Sequence, residues 1–512
     1  MKNLNWQKCV LLCAMITQAT FTFLVAVTRF NTFKSSLFDI GVFQQFYVLI
    51  ESGLQPISAI NTPQHPLHWL GFHFSPILYS LVPLHALFPF PLTLILIQSF
   101  LMSSAAWIIF CTARLKDFTD THALFWALLF LANPYLINAA VGDFHEICFA
   151  VPLFAGVAYF LLAKRFYPMV GMLCLLVLTK EHYGVAMAAT GIAWAIFHKD
   201  YKKGGILAVL GFVLFALIIG KIMPWFAGSA EHPMLGMGER NLGRYGWLHL
   251  PWSEKIRLYT YMMFPSDGNN AVGWSYLLLL FGTSGFLCLL SPWLLLPALA
   301  DFTANMLSAN IMTRGFYAYH SAAMVPVLII ATMIALKRYQ VRENVFFFSM
   351  AVVLFLLAMQ TTPLQYWQID RFVVKDANLV PQDIQNKMPI GAPIAMQGNI
   401  GGHLPRHTNL YPFPAQIDGA SYIVLRMDYP YADPDSLVFS MPYRPATSGE
   451  YLNAVKSLLN NPQWCALYWN NPILVLQRNS CKNGFNDLQR QEINTQLHSL
   501  EIIAKRLKKY NE

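Results

Sequence analysis

Residues 141–200 read VGDFHEICFAVPLFAGVAYFLLAKRFYPMVGMLCLLVLTKEHYGVAMAATGIAWAIFHKD. Three apolar runs, 147–163, 166–179 and 183–197, alternate with the polar breaks Asp143-Phe144-His145-Glu146, Lys164-Arg165, Lys180-Glu181-His182 and Lys199-Asp200. Uncharged stretches of this kind, in series and separated by charged turns, are the signature of a chain that threads a bilayer repeatedly. The pattern extends outward on both sides, to 9–28, 90–112, 121–140, 204–226, 273–290, 293–306, 321–336 and 344–360, which brings the predicted spans to about eleven. The two runs at 166–179 and 183–197 are short for a hydrocarbon layer of ~30 Å, so the turn at 180–182 is expected below the membrane surface.

Composition agrees. Of the 512 residues 56% are hydrophobic and only 12% charged, against roughly 25% charged in an ordinary soluble domain. This excludes a soluble enzyme, a disordered chain and a disulfide-stapled secreted module. The excess of Lys and Arg (35, against 26 Asp and Glu) lies in short clusters between apolar runs, where it reports membrane orientation rather than nucleic-acid binding. The first run lacks a small-residue cleavage site and reads as an uncleaved span.

Orientation follows from the same clusters. The segment Ser75–Phe88, SPILYSLVPLHALF, is too short and too rich in proline to be a confident span. With it left out, the loops 113–120, 164–166, 198–203, 291–292 and 337–342 fall on one side and hold ten Lys and Arg in 25 residues, while the opposite loops hold eight in 131. The basic side is cytoplasmic. The N-terminus is then inside, Ser75–Phe88 lies along or dips into the outer interface, and everything after Gln360 is exported. The predicted architecture is an all-α polytopic membrane domain, 1–362, followed by a small extracytoplasmic α/β domain, 363–512. In the latter, strands are expected at 392–397, 421–427, 465–469 and 473–477, and helices at 449–460 and 487–510. Cys465 and Cys481 are left either as a disulfide in an oxidising compartment or as free thiols.

Ionisable groups at membrane depth are costly and by default mark function. Under the chosen orientation nearly all of them reach the outer face. Asp39 opens LFDIGVFQQFYVLIESG, in which Leu37, Ile40, Phe43, Tyr47 and Ile50 recur at helical spacing and Gln44, Gln45 and Glu51 form another arc. That is an amphipathic interfacial helix, and Asp39 is either a first-turn acid favoured by the helix dipole or a general base held above the membrane. Asp143, His145 and Glu146 are a candidate acid–imidazole set or a polar turn. Lys180 and Glu181 are a phosphate-binding cation with its neighbour or a self-neutralised pair. Arg314 and His320, among Tyr317 and Tyr319, bind phosphate or snorkel to the interface. His73 in GFHFSP and Asp301 in ALADFTAN complete the outer set. No nucleotide-binding, serine-hydrolase or zinc-protease motif is present.

With Asp39 in FDIGVFQQ, His73 in HFSPILYSLVPLHALFP, NPYL…GDFHEICFAVPL and TKEHYGVA in that order, the chain resembles the bacterial membrane proteins grouped as domain-of-unknown-function family 2079. IGAPIAMQGNIGGHLPRHTNLYPFP in the tail fits the same style, whereas Gln44, Gln45 and His182 stand where the family often has acids. The family is similar in layout to the GT-C glycosyltransferases, which use polyprenyl-phosphate sugars. The resemblance implies an inverting transfer from an undecaprenyl-phosphate-type donor to a cell-envelope glycan, lipid or protein acceptor at the outer face of the bacterial inner membrane. By topology it puts an acid at Asp39 and another at Asp143; the reading built on it and on the ionisable groups above expects catalysis from Asp39, Asp143 and His145, and substrate binding from His73, Glu146, Lys180, Glu181, Arg314 and His320. A divalent cation, Mg or Mn, enters only if Asp39, Asp143 and His145 hold it. Two other classes compete: a transporter or flippase without chemistry, which calls for broken spans and an internal repeat, and a scaffold whose exported tail is the active part.

Overall fold

The computed structural model describes residues 6–62, 65–228, 244–264, 273–316, 318–361, 380–427, 448–479 and 487–511. They divide into two compact units. The first comprises 1–26, 70–81 and 94–369; the second joins 27–69 and 82–93 to 370–512. The expected boundary at 362/363 lies outside the described residues. Residues 27–69 and 82–93, assigned from sequence to the membrane domain, go with the tail, while 70–81 stay with the first unit.

The first unit is helical. Trp6–Asn31, Pro91–Leu115, Tyr201–Ala227 and Tyr319–Arg338 are long and apolar enough to cross a bilayer, and a fifth candidate is the pair Asp120–Leu131 and Pro134–Ala140, bent by 53°. The bend falls at Asn133-Pro134, where Asn133 caps the second helix and the ring of Pro134 cannot continue the first. Ile147–Leu162, Phe166–Val177 and Tyr183–His198 coincide within two residues with the expected runs 147–163, 166–179 and 183–197 and are shorter than a single span. Sixteen residues at ~1.5 Å each reach about 24 Å, short of a hydrocarbon layer of ~30 Å. The expected spans 273–290 and 293–306 are corrected more strongly. The helix Gly273–Gly282 stops where Gly285 and Phe286 turn left-handed (φ 69° and 60°), a C-terminal signal. Pro292 and Pro297 then break the next stretch into Pro292–Leu295, a 3-10 turn and Leu299–Leu307. Among the described residues, four or five helices rather than eleven therefore have single-span length.

Small residues set the closest packing. A Cβ on Gly191 would stand 2.6 Å from the backbone of Gly204 and Ala208, and one on Gly184 would stand 2.8 Å from Gly211. The helices Tyr183–His198 and Tyr201–Leu217 thus touch backbone to backbone, the mode by which helices associate where no hydrophobic effect separates them from lipid.

The second unit holds a five-stranded mixed sheet in the order 410–412, 394–396, 422–426, 473–478, 464–470. The first three strands are parallel and the last two antiparallel. Four of the strands and both helices, Ser448–Asn460 and Asp487–Asn511, fall where the alternation and periodicity place them; Leu410–Pro412, three residues ending in proline, gave no signal. Cys465 is disulfide-bonded, and Cys481 lies outside the described residues. Against this domain packs the first outer loop. Leu37 donates its N–H to the Gly398 carbonyl, and a Cβ on Gly401 would overlap the Leu37 backbone at 2.8 Å. His403 stacks between Phe30 and Phe33, each 4.2 Å away between ring centres, and donates through Nε2 to the Phe30 carbonyl at 3.1 Å.

That packing refines the reading of 37–51 as an amphipathic interfacial helix with Gln44 and Gln45 on its polar arc. Leu37–Gly41 is a π-turn leading into the helix Val42–Glu51, and Gln44 and Gln45 are both buried. Gln44 donates to the Pro405 carbonyl and Gln45 to the Thr408 carbonyl, at 3.2 and 2.9 Å. Gln44 Oε1 also meets His85 Nε2 at 3.1 Å, and Gln45 accepts from Ser58 at 2.6 Å. The buried amides donate to the half-buried loop carbonyls of Pro405 and Thr408.

A recessed charged cavity as the candidate functional site

The turn Lys180-Glu181-His182 ends the helix Phe166–Val177 and begins Tyr183–His198. Its three side chains diverge, and each meets an opposite group from a different part of the first unit. Lys180 Nζ lies 2.9 Å from Glu146 Oε1, beside the start of Ile147–Leu162. Glu181 lies 3.5 Å from His73 Nδ1 and accepts the Phe74 N–H at 3.3 Å. His182 Nε2 meets Asp301 Oδ1 at 2.7 Å, while Tyr183 donates its hydroxyl to Asp301 Oδ2 at 3.2 Å. A short turn therefore ties three chain segments together around one point.

That point borders a cavity of about 220 Å³. Its polar wall is His73, Lys180, Glu181, His182, Arg244, Asp301 and His320, and its apolar wall includes Ile147, Val185, Phe215, Ile219, Leu248 and Leu307. Arg244 Nη1 donates to His320 Nε2 at 3.4 Å, so that imidazole nitrogen is an acceptor. No carboxylate pairs with Arg244 among the described residues.

Burial and charge set the protonation states. Burial opposes ionisation of Glu146, yet the adjacent Lys180 ammonium outweighs it and holds the carboxyl down at about 2, from an ordinary 4.5. Burial likewise opposes the charge on Lys180, and Glu146 reverses it, so the ammonium titrates above its usual range. Glu181 is also held well below the carboxylate range, with His73 overriding the cost of burial. His145 goes the other way: burial pushes it down to about 3, with the charges of Lys180, His73 and Arg244 acting in the same sense, and it is neutral near pH 7.

Of the residues singled out from sequence, His73, Lys180, Glu181 and His320 line the cavity directly, and Glu146 supports it through Lys180. Asp143 and His145 belong to the preceding turn and are not on the wall. Gln98 fixes that turn, donating to the Asp143 carbonyl at 3.2 Å and accepting the His145 N–H at 2.9 Å, and the His145 ring stacks on Tyr319 at 3.5 Å. Arg314 is buried off the wall. Its Nη1 donates to the carbonyls of Asn305 and Ser308, at 3.0 and 2.7 Å, closing the end of Leu299–Leu307. Asp39, half-buried, belongs to the second unit. Among the described residues no three His, Cys, Asp or Glu side chains converge to hold a metal ion. Arg244 was not foreseen: it is one of three arginines, with Arg240 and Arg257, in the 46-residue loop 227–272, and its spacing does not set it apart. The His182–Asp301 contact joins residues 119 positions apart, which spacing cannot reveal.

The structure is similar to that of ArnT from Cupriavidus metallidurans bound to undecaprenyl phosphate, at 13% identity and a TM-score of 0.49, covering 93% of this chain and 99% of that one. The apo form of that protein matches with the same identity and score over 91% and 99%. The Archaeoglobus fulgidus oligosaccharyltransferase, in complex with zinc and sulfate, matches at 13% identity and a TM-score of 0.39, over 80% and 68%. The comparison with curated proteins returns no significant match. The model of DUF2079, a family of predicted membrane proteins, matches residues 29–382, a span that contains the docked outer loop and every wall residue of the cavity, and the chain belongs to that family.

Proposed function

We propose that this membrane protein is a glycosyltransferase that moves a sugar from a polyprenyl-phosphate donor, of the undecaprenyl phosphate type, to a cell-envelope acceptor at the outer face of the bacterial plasma membrane. The observation that carries the reading is the cavity, where an arginine with no carboxylate partner among the described residues, a lysine and three histidines, together with Glu181 and Asp301, face a wall of Ile, Val, Phe and Leu. A lipid phosphate has that same division into anion and hydrocarbon. The distribution of Lys and Arg between loops supports the outward orientation.

In the transfer, an acceptor oxygen forms a bond to the anomeric carbon as that carbon's bond to the donor phosphate breaks. The electron pair leaves on the phosphate oxygen, and the acceptor proton passes to a general base. Arg244 and Lys180 are the proposed fixed donors to the developing phosphate charge. Asp39 is the proposed base, with Asp143, His145 and Glu146 ordering the acceptor side. His182, oriented by Asp301 as an imidazole is by a carboxylate in acid–base sites, is the wall residue equipped to replace it. A reconstituted assay with a polyprenyl-phosphate sugar tests both levels. Arg244→Gln is expected to lose at least tenfold in rate. Asp39→Asn at full rate together with an inactive His182→Asn moves the base to His182, and wild-type rates in Arg244→Gln and Lys180→Met sink the reading itself.

A further inference from the structure

The final helix, Asp487–Asn511, has two working stripes. Ile493, Leu497 and Leu500 are buried in the core of the second unit. Leu488, Gln491, Glu492, Thr495 and Gln496, spaced i, i+3, i+4, i+7 and i+8, form a neighbouring stripe that faces the turn of the 464–478 hairpin at Trp469, Asn470 and Asn471. Together they enclose a groove of about 550 Å³, within the ~300–1,000 Å³ of small-ligand sites.

The lining is unusual for a solvated face. Four of its eight residues are amides, one is a hydroxyl, one a carboxylate and one an indole, and none of them is Lys, Arg or His. The indole is fixed. Trp469 Nε1 donates to Glu492 Oε2 at 2.7 Å, and part of the ring packs on the core while the rest stays accessible. The side-chain amides of Asn470, Gln491 and Gln496 bond no other described residue, so donor and acceptor atoms stand ready along one edge.

These features select the ligand. Without a cation among its described lining residues the groove offers nothing there to hold a phosphate, a nucleic acid or an acidic chain. Its one carboxylate is engaged by the indole, which leaves little to attract a cation. Amides offer a donor and an acceptor side by side, matching neighbouring hydroxyls on a sugar ring, and a rigid indole offers an apolar face to the ring's C–H bonds. We propose that this groove binds a neutral saccharide chain. Calling that chain the acceptor rests on the transferase reading; the binding does not.

The test uses full-length protein in lipid nanodiscs, titrated with chitotriose, maltotriose, mannotriose and galactotriose and followed by saturation-transfer NMR. At least one trisaccharide is expected to bind, and Gln491→Ala/Gln496→Ala, on the exposed stripe, to weaken it about tenfold, as loss of two hydrogen bonds of ~0.5–1.5 kcal/mol implies. Trp469→Phe, which keeps an aromatic ring against the core, is expected to weaken it as well. No binding at millimolar sugar, undiminished binding by the double variant, or preference for oligogalacturonate or inorganic phosphate overturns the proposal. A protein that binds sugar but transfers none refutes only the transferase reading, and one that transfers without binding refutes only the groove.

Discussion

Glu146→Gln strikes the pair on which the cavity depends. Glu146 and Lys180 lie 2.9 Å apart with side chains 3% and 11% exposed. Removing the carboxylate leaves an ammonium in a recessed, poorly solvated position. Breaking a buried pair on one side costs ~3–5 kcal/mol. Linkage gives a similar size, since a fall of the Glu146 pKa from 4.5 to about 2 corresponds to about 3 kcal/mol. Lys180→Met strands the carboxylate instead and is expected to cost about as much. The double variant Glu146→Gln/Lys180→Met removes both charges and should be more stable than either single one, because a neutral pair has no desolvation debt. The sign with pH is fixed: this stability is fully present above pH 4.5 and is lost as pH falls toward 2, where Glu146 protonates in the folded state. The assay is reversible unfolding of the four proteins in one detergent, at pH 7 and down the acid limb. A Glu146→Gln cost below ~0.5 kcal/mol, the scale of a neutral surface change, or a double variant as unstable as the two singles summed, would refute the reasoning.

Other expectations follow from the same contacts. His403 is pushed down to about 3 by burial between Phe30 and Phe33; unfolded chain binds its proton first, so stability falls as pH drops from 6.5 toward 3, and His403→Phe should flatten that limb in an acid titration by circular dichroism. Gly191→Val drives a side chain into backbone 2.6 Å from its Cβ and should cost ~1–3 kcal/mol or more, read as a lower unfolding midpoint, while Gly171→Ala, which meets nothing within 4 Å, should not. Gln45→Leu strips the Thr408 carbonyl and the Ser58 hydroxyl of their partner, an expected loss of ~1–3 kcal/mol, visible as faster limited proteolysis of the second unit with the first unit intact.

What the sequence showed and what it hid divide along physical lines. Apolar runs report helices because lipid and core both demand continuous hydrophobicity, so every predicted span has a helix within it. Length across the membrane was less legible, since 273–290 is apolar throughout and yet breaks at Gly285-Phe286. Lys180, Glu181 and His73 were visible as ionisable groups in apolar surroundings, where their cost makes them conspicuous. Their partners were not: Glu146 with Lys180, His73 with Glu181 and Asp301 with His182 meet across 34 to 119 residues, and one sequence holds no trace of such pairings. The burial of Gln44 and Gln45 was hidden for a related reason. A polar arc on an amphipathic helix looks solvated, and only the loop carbonyls of Pro405 and Thr408 reveal that it is buried.

The central claim is that the first unit's cavity receives a lipid-linked anion. The most direct measurement is native mass spectrometry of the purified protein with undecaprenyl phosphate and with the uncharged undecaprenol, in wild type and Arg244→Gln. Retention of the phosphate over the alcohol by wild type, with that preference cut at least tenfold in Arg244→Gln, is the predicted result. Equal retention of the two lipids, or a preference that survives loss of Arg244, contradicts the account.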